Sequence, residues 1–140
     1  MKEGFQMRIC YTTDIENITQ EGLQELFLSV KWESGKFPSE ILKAIKGSHS
    51  VVTAWDGDKL IGLINALSDG VLTAYFHYML INPSYQGKGI GKEMMDLMLD
   101  RYKGYQTKVL IAYPNVVEFY GKLGFKTEDG TTPMFISELI

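Results

Sequence analysis

Hydrophobic residues recur along the chain with two periods, and the period distinguishes helices from strands. Apolar residues spaced three or four apart, such as Leu23, Leu26 and Phe27, lie on one face of a helix. This spacing, together with Pro and Asn near the start and Gly near the end of the segments, predicts four helices, over 19–29, 38–47, 90–102 and 115–124.

Apolar runs and strict alternation predict the strands. Residues 50–55 and 59–67 flank Asp56-Gly57-Asp58, and Asp-Gly is a strong hairpin signal. The apolar and aromatic run from Ala74 to Ile81 is typical of a buried strand, which Pro83 ends. Shorter strands are predicted at 7–11, 108–112, 125–127 and 134–139. The predicted order is therefore β-α-α-β-β-β-α-β-α-β-β.

Composition argues against two classes of partner. At 140 residues, 45% hydrophobic and 22% charged, the chain is expected to form one domain, 1–140, with its own core. A net charge of −3 provides no general attraction to nucleic acid or to an anionic membrane.

The single cysteine, Cys10, excludes an internal disulfide and favours a reducing, cytoplasmic setting. With only His49 and His77 beside it, no metal site is expected.

The start of the third predicted helix departs from the usual rules of helix capping. Helix N-termini favour Ser, Thr, Asp or Asn caps and acidic first turns, whereas here three glycines stand with Lys88 and Lys92. An anion on the turn removes the conflict, because bare amides can hold phosphate oxygens and the lysines neutralise the remaining charge. The competing interpretation is a glycine-rich turn that serves tight backbone geometry alone.

The glycine spacing excludes two common phosphate loops and matches a third. A Walker loop needs GxxxxGK followed by Ser or Thr, and a dinucleotide fingerprint needs a glycine where Lys92 stands. The pattern that fits is Gln-x-x-Gly-x-Gly, as Gln86, Gly89 and Gly91, followed by Phe-Tyr-Gly-Lys-Leu-Gly-Phe at 119–125. With these motifs the chain resembles the GNAT superfamily of acetyl-CoA-dependent N-acetyltransferases. It looks closest to the aralkylamine (serotonin-type) N-acetyltransferase-like branch, through positions 68–69, 85–92 and 116–120.

The resemblance implies a fold and a set of coenzyme contacts. The implied fold is α/β (α+β), with a mixed, mostly antiparallel sheet that splays between its fourth and fifth strands and is flanked by helices. The pantetheine arm lies in the splay, and the Leu80 amide is the expected oxyanion donor. Relatives often carry a pantetheine-binding Asn where Tyr113 stands, so Asn115 is interpreted as a helix cap or as a coenzyme contact. The residues implied to bind acetyl-CoA are Met79, Leu80, Ile81, Gln86, Gly87, Lys88, Gly89, Ile90, Gly91, Lys92, Asn115 and Tyr120.

Direct acetyl transfer needs an acid and a base. The resemblance implies that Tyr120 protonates the leaving thiolate, with a packing tyrosine as the alternative. An aliphatic ammonium has a pKa of about 10.4, so a proton must leave before attack. Many relatives use a carboxylate of the fourth strand, which this chain lacks; His77 is the candidate base, with a structural histidine as the alternative. Asp69 and Trp32 are candidate substrate-binding residues, for a cation and for an apolar body.

These features predict a cytoplasmic N-acetyltransferase that moves an acetyl group from acetyl-CoA to a primary amine of a small molecule, such as an arylalkylamine or a polyamine. No metal is expected to take part. One alternative is a protein or peptide Nα-acetyltransferase with an open groove. The other is a CoA-binding sensor without turnover, which the missing carboxylate favours. Many relatives dimerise, and the sequence leaves a homodimer open.

Overall fold

A five-stranded sheet with helices on both faces forms the described part of the chain, residues 8–137 of a computed structural model. The strands are β1 (Ile9–Thr12), β2 (Ser50–Asp56), β3 (Lys59–Ser68), β4 (Thr73–Ile81) and β5 (Thr107–Leu110). The helices are α1 (Gln20–Ser29), α2 (Pro38–Lys46), α3 (Ile90–Arg101) and α4 (Val117–Gly121). Short 3₁₀ turns occupy Glu33–Lys36, Pro83–Tyr85 and Pro114–Val116.

The sheet has the strand order β1-β2-β3-β4-β5 and is mixed, as predicted. Neighbouring strands are antiparallel except β4 and β5, which run parallel. The β4–β5 register ends where Phe76 faces Leu110, whereas β4 continues to Ile81. A gap therefore opens between the two strands at the end of β4, and this gap positions the candidate site.

The β3–β4 pair contains a bulge just before that gap. Ile64 faces Met79, but Ala66 faces Phe76, so one residue of β3 stands opposite two residues of β4. Such an insertion bends the strand and increases its local twist. The bend coincides with the point at which β4 leaves β5.

Two separate cores lie on the two faces of the sheet. Because successive strand residues point to opposite faces, Val51 packs with α1 and α2 while Val52 packs with α3. The α1–α2 core includes Leu23 and Phe27, and the α3 core includes Met94, Met95, Met98 and Tyr102. Burying a side chain of this size stabilises the fold by about 1.5–3 kcal/mol each.

The far end of α3 is fixed to β2 by a buried tyrosine. Tyr102 is 0% exposed, and its hydroxyl lies 2.6 Å from His49 Nδ1 and 2.7 Å from Ser50 Oγ. Arg101 Nε also donates to Ser50 Oγ. A buried hydroxyl needs such partners, and here they join the C-terminus of α3 to the start of β2.

The two predicted C-terminal strands are not formed by the described residues. At 125–127 the reason is that the Phe125 N–H donates to the Tyr120 carbonyl at 3.1 Å and so closes the end of α4. Residues 134–137 form no strand, and Pro133 before them has no N–H for a ladder. Met134 and Ile136 are 90% and 106% exposed. Residues 138–140 of the predicted last strand lie outside the described residues.

The remaining boundaries differ from prediction by a few residues. β1 begins at Ile9, and Met7 lies outside the described residues. β5 ends at Leu110 and not at Ala112. Val116 precedes α4, and no side chain among residues 8–137 caps this helix, so the capping role considered for Asn115 is wrong. Among the described helices, none is both long and apolar enough to cross a bilayer.

Candidate functional site

A cleft of about 590 Å³ fills the gap between β4 and β5. The glycine loop and the start of α3 form one end, and Val30 and Trp32 after α1 form the other. The segment after β5 and helix α4 form the wall opposite β4. The residues that line the cleft thus come from the glycine loop, β4, α4 and the segments that follow β5 and α1.

The glycine loop presents backbone amides to the cleft. Gly87 has φ +78° and Gly89 has φ +82°, a conformation that strains any residue with a Cβ. A Cβ built on either would meet no heavy atom of residues 8–137 within 4 Å, so backbone conformation selects glycine here. Gly89 is the N-cap of α3, and within the described chain no side chain bonds to this helix end. The first-turn amides and the positive end of the dipole are left for an anion.

Gly91 has a different role from its two neighbours. A Cβ at this position would lie 3.1 Å from both Ile81 Cδ1 and Met79 Cε and 3.4 Å from Phe119 Cζ. The missing side chain lets the start of α3 approach the end of β4 closely. The glycine loop and the end of β4, which both line the cleft, are thereby held close together.

Polar side chains around the loop have partners within the protein. Gln86 Nε2 donates to the Ile81 carbonyl at 3.1 Å and ties the loop to β4. Lys92 Nζ pairs with Asp96 Oδ2 at 2.6 Å, and this ion pair raises the pKa of the lysine. Lys88 does not line the cleft, although its neighbours Gly87 and Gly89 do. The predicted anion site consists mainly of main chain, and its lysines lie at the rim.

The register of β3 and β4 decides which amides face the gap. The Asn82 N–H donates to the Ile61 carbonyl at 2.8 Å, so position 82 points toward β3. In an antiparallel ladder this direction alternates; the Leu80 N–H therefore also points toward β3, and the N–H groups of Met79 and Ile81 point toward the cleft. The Leu80 amide, expected as the oxyanion donor, therefore points away from the cleft, whereas the Met79 amide points toward it.

Tyr120 lies on α4, against the cleft and the α3 core. Its ring packs edge-on against Phe119 and Phe125, with centroid distances of 5.1 and 5.9 Å. Burial raises the pKa of Tyr120 to about 12. The phenol therefore keeps its proton at neutral and moderately alkaline pH and is a hydrogen-bond donor to whatever occupies the cleft. Asn115 also lines the cleft.

His77 lines the cleft from the bulge in β4. Its ring stacks on Tyr78 at 4.1 Å and on Tyr75 at 5.4 Å. Although the residue is exposed as a whole, this stacking withdraws part of the imidazole from water, and desolvation lowers the pKa of His77 below its usual 6.5. The neutral, proton-accepting form therefore predominates at pH 7.

The end of the cleft at Trp32 is aromatic. Trp32 and Tyr78 lie 6.0 Å apart, and each contacts Phe27 edge-on, at 6.0 and 5.0 Å. Asp69 is not brought to this cleft: its Oδ1 accepts the N–H groups of Val71, Leu72 and Thr73, which lowers the pKa of the carboxyl and fixes the β3–β4 turn.

Two side-chain interactions near the cleft were not predicted from the sequence. Tyr85 lines the cleft, and its hydroxyl donates to Asp56 Oδ2 at 2.6 Å, which fixes the loop to the β2–β3 hairpin. Nothing in the local pattern indicates that pairing. Asn65 carries a readable signal, because it is a lone polar residue within the apolar strand β3. Among residues 8–137, no three His, Cys, Asp or Glu side chains are grouped so as to hold a metal ion.

Comparisons with known proteins agree with this geometry. The Acetyltransferase (GNAT) domain family matches residues 15–134. The chain is 32% identical to an uncharacterized N-acetyltransferase, ycf52, of Porphyra purpurea, over 95% of this chain and 80% of that protein. It is 33% identical to Histone acetyltransferase TAP1 of Glycine max, over 81% of this chain and 54% of that protein. A solved GNAT-family acetyltransferase of Streptococcus pneumoniae TIGR4 superposes with a TM-score of 0.77 at 26% identity, over 95% and 99% of the two chains.

Proposed function

The chain belongs to the GNAT family of acetyl-CoA-dependent N-acetyltransferases, and we propose that its acceptor is the primary amine of a small molecule with an apolar or aromatic body. The observation that carries the proposal is the end of the cleft lined by Trp32, whose ring is backed by Tyr78 at a centroid distance of 6.0 Å. No Asp or Glu is found among the described residues that line the cleft. A polyamine or a basic peptide needs several carboxylates, whereas one aryl amine needs only apolar surface and a proton acceptor.

Four kinds of polar group that line the cleft each have one role in the proposed reaction. The first-turn amides of α3 hold the coenzyme pyrophosphate. Neutral His77 accepts the proton of the ammonium, directly or through water, and the freed amine attacks the thioester carbonyl. The Met79 N–H stabilises the oxyanion as the C–N bond forms. The C–S bond then breaks and Tyr120 gives its proton to the thiolate. The nitrogen of the adduct loses its second proton, which returns through water to the Tyr120 phenolate, and His77 releases the first proton to solvent. The products are an N-acetyl amine, coenzyme A and one proton.

A second candidate function is protein acetylation, favoured by the similarity to Histone acetyltransferase TAP1 of Glycine max. The two candidates differ in what must reach His77. A histone-type substrate brings a lysine in a basic, extended peptide, whereas the residues lining this cleft offer that peptide no carboxylate. A CoA-binding sensor is the third reading, and the absence of a carboxylate on the described strand β4 is the feature that favours it.

An acceptor panel separates the three readings. Release of the coenzyme A thiol is measured with arylalkylamines, a polyamine, a peptide with a free α-amine and a lysine-rich peptide. We expect release above background with the arylalkylamines. Faster release with either peptide supports protein acetylation, and tight acetyl-CoA binding without release from any amine supports the sensor.

A pair of tryptophan variants tests the aromatic end directly. Trp32→Leu is expected to raise KM for aryl amines by about tenfold, because ring contacts of roughly 1 kcal/mol or more are lost. Trp55→Leu is the matched control: Trp55 does not line the cleft, and its Nε1 donates to Thr53 Oγ1 at 2.8 Å. Equal effects of both substitutions would contradict the assignment. A cytoplasmic location, the aralkylamine branch and a homodimer stay predictions.

A further inference from the structure

Asn65 is a buried polar residue in the middle of an apolar strand. It is 1% exposed, and its neighbours Ile64 and Ala66 are fully buried. A buried amide destabilises a protein unless its donor and acceptor groups are bonded. The partners of Asn65 therefore indicate why an amide is accepted at this position.

The Asn65 amide joins helix α2 to the bulge in β4. Its Oδ1 accepts the Tyr78 N–H at 2.8 Å, and because an N–H can only donate, the oxygen must face that side. Its Nδ2 donates to Ser48 Oγ at 3.0 Å. The Ser48 hydroxyl in turn donates to the Ala44 carbonyl in the last turn of α2, at 2.9 Å. The bulge is thus fastened to the α2 end of the fold.

The bond to Tyr78 replaces a missing bond of the β-ladder. In the bulge Asn65 alone stands opposite His77 and Tyr78. A bulge leaves its extra residue without a regular partner on the facing strand, and here a side-chain oxygen accepts the Tyr78 N–H instead. The residues on either side of Tyr78 are His77 and Met79, which supply the proposed base and the proposed oxyanion donor.

We infer that Asn65 is a positioning residue for acetyl transfer. It keeps the bulge in the register in which the Met79 N–H and the His77 imidazole point toward the bound thioester. Asn65 does not line the cleft, so it acts only through these neighbours. The inference rests on the proposed function. Its physical basis is that a shift of about 1 Å at reacting groups can cost about 100-fold in rate.

Three variants separate positioning from stability. Asn65→Leu keeps the approximate volume and removes both hydrogen bonds of the side chain. Asn65→Asp keeps an oxygen for the Tyr78 N–H. Thr53→Val is the matched control, because Thr53 is 0% exposed and its Oγ1 accepts from Trp55 Nε1, in strand β2, which does not pair with β4. Each variant is measured for thermal unfolding, kcat, KM for acetyl-CoA, and the Kd of acetyl-CoA and of coenzyme A.

We expect Asn65→Leu to lower kcat by about tenfold or more while KM for acetyl-CoA changes by about threefold or less, because the pyrophosphate loop is untouched. Asn65→Asp is expected to recover most of the lost kcat. Thr53→Val is expected to lose a similar amount of thermal stability with kcat unchanged. The wild type is expected to bind acetyl-CoA more tightly than coenzyme A, through the Met79 N–H, and Asn65→Leu to lose that preference.

The binding arm keeps the outcomes distinct. If the wild type transfers acetyl to no amine, the proposed function fails, and the acetyl-CoA to coenzyme A affinity ratio still tests Asn65. Suppose that Asn65→Leu keeps the wild-type affinity ratio, keeps the wild-type kcat where turnover can be measured, and otherwise behaves like Thr53→Val. Asn65 then supports the fold alone and the inference is overturned. The same conclusion follows if Asn65→Asp is as impaired as Asn65→Leu.

Discussion

The two ends of the cleft are built from different parts of the polypeptide. The proposed coenzyme end consists of main-chain amides between Gly87 and Lys92. Its glycines matter chiefly because they have no side chain. The proposed acceptor end consists of side chains, namely the rings of Trp32 and His77, each of which packs against Tyr78. Peptide groups are the same in every residue, so the first end can serve one coenzyme through much sequence change, whereas each substitution at the second end alters what is bound.

This difference predicts opposite responses to mutation. Adding a Cβ should damage the coenzyme end, and removing side-chain atoms there should matter little. At the acceptor end and at the reacting groups, deletion of single side-chain atoms should alter rate or selectivity. The predictions below follow from this contrast and run from the largest expected effect to the smallest.

The largest effect is expected where the two ends meet, at Tyr120. Tyr120→Phe removes one oxygen and should lower kcat by about 100-fold, the usual contribution of a general acid, with coenzyme affinity unchanged. Because burial raises the pKa of Tyr120 to about 12, the phenol stays protonated below that pH, and no loss of rate from its ionisation is expected up to pH 10. A pH–rate profile of the wild type and the variant measures both.

Tyr113→Phe is the control for Tyr120, since Tyr113 also lines the cleft but is 50% exposed. If the two substitutions lower kcat equally, the acid is not Tyr120. If neither does, the thiolate leaves without a protein acid.

The next effect sharpens the contrast at the coenzyme end. Gly89→Val forces a branched side chain into φ +82° and should weaken coenzyme A binding by about tenfold or more, roughly 1.4 kcal/mol. Gly57→Val is the matched control, because Gly57 has φ +59° in the β2–β3 turn, where a Cβ also meets no atom of residues 8–137 within 4 Å. Calorimetric titration should show weakened binding for Gly89→Val alone, while both variants lose some stability.

A smaller, pH-dependent effect is expected at His77. Desolvation lowers the pKa of this imidazole below its usual 6.5, so the proton-accepting form predominates at pH 6.5 and above and is lost as the pH falls through the lowered value. His77→Gln should reduce kcat/KM several-fold at pH 8 and abolish the acid limb of the wild-type profile. An acid limb that persists in the variant would assign the base to another group.

Local chemistry made part of this molecule predictable. The β2–β3 hairpin follows from its Asp-Gly turn, and the loop at Gly87–Gly91 follows from glycines that no capping rule explains. These features depend on neighbouring residues alone, so one sequence contains the information. The helical spacing of apolar residues over 90–102 is local for the same reason, and it predicts the position of α3.

Features that depend on strand register, or on a local hydrogen bond that competes with the predicted role, were not predictable. The choice between the Leu80 and Met79 amides is a matter of ladder phase, and a shift of one residue reverses every direction. Asp69 carries a carboxylate suited to a cation, but its turn uses that carboxylate for three backbone N–H groups. Phe125 belongs to a strand-like pattern, but its N–H is already bonded at the end of α4.

The buried hydroxyl of Tyr102, shared between His49 and Ser50, has a consequence at the opposite end of α3. A helix secured to the sheet at its last turn, and seated against β4 through the bare Cα of Gly91, has little freedom to swing. The proposed phosphate site at the start of α3 is then already ordered before a ligand binds, so little conformational entropy is lost on binding. Substitutions that remove the Tyr102 hydrogen bonds should therefore slow coenzyme binding and lower its affinity. The proposed phosphate site lies about 18 Å away, the length of a twelve-residue helix at about 1.5 Å per residue.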